Sequence, residues 1–249
     1  MPSGDPIRPL HSLAKCDTAV IQMKMHPSSS IRKRQMELAL LIGSHARGDA
    51  DSSSDWDLLF INMNECDFDY SKLPIRDRSL VNSINYDIDT FSRLYEIGSL
   101  FLHHAFTEGC VLDGNAAEWN RLKETFIVQN NFHNELVEIN RATELLSKTK
   151  VFGGRYFTPL VNSFTELKNA CIFYLAHQGI YEFNKSKCFD LAIDFSNRHI
   201  QFKELKAFYD FSIRGLDVEL PFDWSDETIS ISLLKDINKA VKEMCDASR

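Results

Sequence analysis

The sequence predicts an α+β fold: a mixed-sheet domain over residues 1–113 followed by an all-helical bundle domain over residues 114–249. Three observations carry this. Met36 to Ile42 and Trp56 to Ile61 are nearly unbroken apolar runs, each of the length a buried strand needs. Ile84, Tyr86, Ile88 and Thr90 alternate with polar residues, which predicts a third strand. From about residue 92 strand signals fade, and apolar residues recur at spacings of three and four.

Taken in order, residues 7 to 25 carry Ile7, Leu10, Leu13, Ala14, Ala19, Val20 and Met23 at helical spacing, and His-Pro-Ser-Ser-Ser at 26 to 30 ends that helix. The segment between the first two strands is too short for a crossover helix, so a mixed sheet is expected. Helices are expected at 116–125, 134–149, 158–178, 199–213 and 228–247. Gly153-Gly154, Gly179, Gly215 and Pro221 punctuate the breaks. In the helix at 158–178, Phe164, Leu167, Ala170, Cys171, Tyr174 and Leu175 form one stripe, which predicts bundle core.

Composition narrows the function classes. The net charge is −7, with eleven basic against sixteen acidic residues through Asp113 and seventeen against nineteen after it. Neither half offers the clustered Lys and Arg that neutralise a polynucleotide backbone, so a nucleic-acid partner is not expected. No window approaches the run of about 20 apolar residues that a membrane span needs, and the start Met-Pro-Ser-Gly-Asp-Pro lacks the order of a signal peptide. A cytoplasmic protein without membrane association is the expectation. The six cysteines are scattered, and we read them as reduced, mostly buried thiols.

Residues 41 to 60 carry the chemistry. Gly43-Ser44 falls where a strand ends and a helix begins, so backbone N–H groups and a hydroxyl face that end, an arrangement suited to phosphate. Asp55 and Asp57 are one strand repeat apart, which puts both carboxylates on one face and Trp56 and Leu58 on the other. Two neighbouring carboxylates repel unless a cation lies between them, and magnesium commonly bridges such carboxylates to substrate phosphates. Arg47 has two readings, a contact to the triphosphate or a surface pair with Asp49 or Asp51. His103 and His104 point about 100° apart on a helix and cannot share one ligand, so a core or surface role is expected for them in place of metal binding.

Gly-Ser, ten residues, then Asp-x-Asp, set within Gly-Ser-x-Ala-Arg-Gly and Ser-Asp-x-Asp-Leu, resembles the signature of the minimal nucleotidyltransferases and antibiotic adenylyltransferases of the DNA polymerase β-like superfamily. The likeness is tight over about twenty residues. Ser99 to Gly109 more loosely resembles a helix that follows the third strand in some members. The resemblance implies a metal-dependent nucleotidyltransferase with Mg2+ as cofactor and ATP or another nucleoside triphosphate as co-substrate. It also implies a third carboxylate from a later strand. Asp87 is preferred for that role, as metal ligand and catalytic group, because an apolar-x-x-apolar stretch follows it; Asp89, one strand repeat on, is the alternative.

Two acceptor classes are consistent with this likeness, a small molecule such as an antibiotic and a protein side chain as in nucleotidyltransferase antitoxins. The large fused helical half favours the small molecule. A non-catalytic nucleotide-binding module is a third reading, against which Asp55 and Asp57 stand.

Overall fold

The computed structural model describes residues 36–51, 54–75, 78–148, 153–196 and 202–249, and these belong to one compact unit. The helix expected at 7–25 lies outside the described residues. The architecture is α+β, with one small mixed sheet and several helices.

Strands β1 (Leu38–Ile42), β2 (Trp56–Ile61), β3 (Val81–Tyr86) and β4 (Cys110–Gly114) lie in the order β3-β2-β1-β4. β1 pairs antiparallel with β2 and with β4, while β2 and β3 run parallel. All five residues of β1 and the last four of β2 are buried, as their unbroken apolar runs require. Ala39, Leu41, Leu58 and Phe60 pack on one face with Phe68 and Leu73. The short helix α1 (Gly43–Arg47) joins β1 to the loop before β2.

Two sequence expectations are corrected here. The third strand ends at Tyr86, and Ile88–Glu96 is a helix, α2. Asp87 is the reason: its carboxylate accepts the Thr90 N–H at 2.6 Å, capping the first turn in place of continuing the ladder. Strand signals also do not end at residue 92. After helix α3 (Leu100–Glu108), β4 adds an edge to β1, with Gly114 at φ +95° so close to Glu37 that a Cβ there would lie 1.9 Å from its carbonyl oxygen.

The later helices are α4 (Ala116–Thr125), α5 (His133–Ser147), α6 (Phe157–His177), α7 (Lys185–Ser196), α8 (Phe202–Ser212) and α9 (Glu227–Ala247). Asn115 caps α4 through the Glu118 N–H, and Asp226 caps α9 through the N–H groups of Thr228 and Ile229. The helix expected at 116–125 has those bounds, those expected at 134–149, 158–178 and 228–247 differ by two residues or fewer at either end, and of the one expected at 199–213 residues 199–201 lie outside the described residues; α7 had no clear periodic signal.

α6 packs against α5, α7, α8 and α9, and its predicted stripe of Phe164, Leu167, Ala170, Cys171, Tyr174 and Leu175 is buried. Of the described cysteines, Cys171, Cys188 and Cys245 are buried free thiols, whereas Cys66 and Cys110 are exposed. Burial pushes the Cys188 thiol up to about 12, which keeps it protonated and inert. No described helix is long and apolar enough to cross a membrane.

Leu167 is completely buried at the centre of this packing. Leu167→Ala is expected to lower stability by about 2–5 kcal/mol in urea unfolding, through lost transfer energy and a residual cavity. A loss below about 1 kcal/mol would contradict a tightly packed α6.

Candidate functional site

Strand pairing brings the ends of the motif together. Ile42 is the partner of Asp57 across the β1–β2 ladder, so Gly43, the next residue, meets the Asp57 side chain directly. Gly43 has φ +74°, and a Cβ there would lie 2.6 Å from Asp57 Oδ2. Only glycine accommodates both the left-handed backbone and that carboxylate. Ser44 is the second residue of α1, and Ile42 holds the cap position without a side-chain cap bond, so the serine is not the helix cap. With five residues, α1 adds little dipole, and the closeness of backbone to carboxylate is the stronger feature.

The period of two places Asp55 and Asp57 on one side and Trp56 on the other. Trp56 stacks on His45 with ring centroids 3.7 Å apart and 11° between planes. His45 Nε2 is 3.2 Å from the Ser54 carbonyl, and Ser54 Oγ bonds Asp51 at its N–H and its carboxylate, so the loop before β2 is clamped from both ends. The carboxylate pair is therefore set by the strand and by the ring stack behind it.

The expected third carboxylate is elsewhere. In the parallel β2–β3 ladder Asp57 is partnered by Asn82, and Ile61 by Tyr86. Asp87 thus follows the far end of β3, five residues beyond Asn82, or roughly 16 Å along the strand. It is spent on the α2 cap, and the Thr90 backbone and side chain hold its carboxyl below the usual carboxylate range. Asp89 lies in the first turn of α2 at the same end. The structure does not bring Asp87 or Asp89 to Asp55 and Asp57. Asn82 occupies the place next to Asp57, donating Nδ2 to Asp57 Oδ1 at 2.9 Å.

Arg47 follows the second of its two readings. Nε reaches Asp49 at 3.2 Å and Nη1 reaches Glu108 at 2.8 Å, so its donors point to α3 and not to the Asp55–Asp57 pair. Asp49 also accepts from Asn184 of the α6–α7 connection, and Glu108 bonds His104 at 2.8 Å. His104 stacks on Phe183 at 4.3 Å, and His103 packs on Tyr181 at the same separation. Both histidines pack on aromatic rings of the α6–α7 connection and join α3 to the helical half.

The helical half also supplies groups that the sequence reading missed. Arg214, just past α8, places Nε 3.7 Å from Asp55 Oδ2 and Nη1 3.4 Å from Asp210 Oδ1, with its side chain only 12% exposed. Its Nε is buried without a hydrogen-bond partner. Burial pushes the Tyr209 hydroxyl up, and the charges of Asp55, Asp210 and Asp57 push it further, with Arg214 opposing them. The end of α8 therefore borders the carboxylate pair.

A magnesium ion is compatible with this set on two grounds: two carboxylates one strand repeat apart, and a backbone turn cleared of side chain beside one of them. Among the described residues no group of three or more His, Cys, Asp or Glu side chains converges as a metal set.

Gly43 and Gly179 have nearly equal φ, +74° and +76°, but a Cβ at Gly179 meets nothing within 4 Å. Gly43→Ala should cost at least about 1 kcal/mol more stability than Gly179→Ala, the difference being displacement of Asp57; equal losses would show that the close approach is relaxed at no cost. Burial pushes the Glu108 carboxyl up, but hydrogen bonds from His104 and Arg47 outweigh it and leave it below the ordinary range. Its folded value is below its unfolded one, so its stabilisation is complete above about pH 4.3 and is lost as pH falls through the lower folded value. Thermal unfolding of Glu108→Gln should show a deficit at pH 7 that closes at low pH, whereas a deficit that grows on acidification would contradict this pairing. Compared with known proteins, the chain matches no family model and no curated protein.

Proposed function

We propose that Gly43, Ser44, Asp55 and Asp57 form a Mg2+-dependent nucleoside triphosphate site, and that the chain is a nucleotidyltransferase moving a nucleoside monophosphate, from ATP or another triphosphate, to a hydroxyl of a small-molecule acceptor. The observation that supports this best is the meeting of Gly43 with the Asp57 carboxylate, since a bare backbone turn against a metal-ligating side chain is what a polyphosphate bridging the two requires.

Magnesium bound there would neutralise phosphate charge and align the α-phosphorus and leaving group. Asp55 and Asp57 would hold the cation, while the Gly43–Ser44 turn would let phosphate oxygens approach the backbone. The acceptor oxygen forms a bond to the α-phosphorus, the α–β anhydride bond breaks, pyrophosphate leaves, and the hydroxyl proton passes to water. Positioning and charge neutralisation carry most of the rate. Arg47 has no direct part in this scheme; through Asp49 and Glu108 it fixes the segment after α1.

One observation favours a second reading, nucleotide binding without transfer: the place beside Asp57 holds the neutral Asn82. Both readings require triphosphate binding, and they part at pyrophosphate release.

Purified protein is to be incubated with each labelled triphosphate, Mg2+ and candidate hydroxyl acceptors, beside the Asp55→Asn, Asp57→Asn double variant. We expect Mg2+-dependent binding that the variant weakens by at least about tenfold, with pyrophosphate release by the wild type alone. Binding without release selects the second reading. Wild type and variant equally unable to bind every triphosphate would end both.

A further inference from the structure

We propose that this site takes a single divalent cation, and that the Arg214 guanidinium supplies the second positive charge beside Asp55. The inference rests on the triphosphate reading above and specifies how that site balances its charge.

On the strands beside β2, a carboxylate able to share a cation with Asp57 would stand in register with it. β1 offers Ile42 and β3 offers Asn82. Asn82 is neutral and directs a donor at Asp57 Oδ1, which makes that oxygen a poor ligand. Asp57 is left to present Oδ2, the atom against Gly43. With Asp57 Oδ1 engaged by an amide N–H, the pair has too few free oxygens to hold a second cation. One cation, with a guanidinium beside Asp55, fits the oxygens that remain.

Arg214 is placed for that charge. It stands 3.7 Å from Asp55, close enough for attraction but too far for a hydrogen bond, and its Nε has no hydrogen-bond partner. Asp210 steadies the other end of the guanidinium and is itself bonded by Lys206. A buried donor in this condition is costly unless something satisfies it, and a phosphate oxygen on the cation held by Asp55 and Asp57 would do so. Because Arg214 comes from the helical half and Asp55 from the sheet, the site is complete only when the two halves are packed together.

The test is Mn2+ binding to the full chain saturated with a non-hydrolysable ATP analogue, followed by electron paramagnetic resonance of free Mn2+ and by calorimetry. One Mn2+ per chain is expected for the wild type and two for the Asn82→Asp, Arg214→Gln double variant. Arg214→Gln alone should weaken the analogue by about tenfold, and Arg214→Lys should restore much of that loss. Two Mn2+ in the wild type, or one in the double variant while it still binds the analogue and melts normally, overturns the inference and leaves the triphosphate site standing. No Mn2+ and no analogue bound by the wild type defeats both together.

Discussion

The approach of the Gly43 backbone to the Asp57 carboxylate is the constraint on which the rest of the site depends. It requires β1 and β2 to be antiparallel with Ile42 opposite Asp57, and it requires a left-handed turn without a side chain at residue 43. The buried ladder on either side supplies that alignment: Leu38 to Ile42 and Leu58 to Ile61 have no polar residue that tolerates a slip, and a one-residue shift would turn Asp57 into the packed face. Core packing thereby sets the geometry of a polar site at the end of the strands.

From that end the molecule builds outward in two directions. Arg47, one turn beyond Gly43, bonds Asp49 and Glu108, and through Asn184 and His104 this network meets the α6–α7 connection. On the other side, Arg214 and Tyr209 bring the end of α8 to Asp55. The sheet end is thus held between two segments of the helical half. Core groups such as Leu167 fix where α8 lies, because α6 packs on it.

Much of this was legible in the sequence, for physical reasons that differ by element. The bounds of β2 at Trp56 and Ile61 followed from an apolar run, and α4 followed from its period of three and four. The approach of Gly43 to Asp57 depends on the antiparallel register of β1 and β2, which the sequence pattern alone did not specify. Asp87 was misplaced because Ile84, Tyr86 and Ile88 keep an alternating pattern across the strand-to-helix boundary, where only the Asp87–Thr90 cap marks the change. β4, an edge strand with no fully buried residue, carries no unbroken apolar run of the kind that marks β1. Asn82 depends on a parallel register, and Arg214 on packing across more than 150 residues of chain, so no local pattern announced either.

The most direct measurement is a crystal structure of the chain with a non-hydrolysable ATP analogue and Mn2+, read by anomalous scattering. The account predicts the triphosphate along the Gly43–Ser44 turn and one anomalous peak within ligand distance of both Asp55 and Asp57. A nucleotide bound elsewhere, or an anomalous peak near Asp87 with none at Asp57, would contradict it.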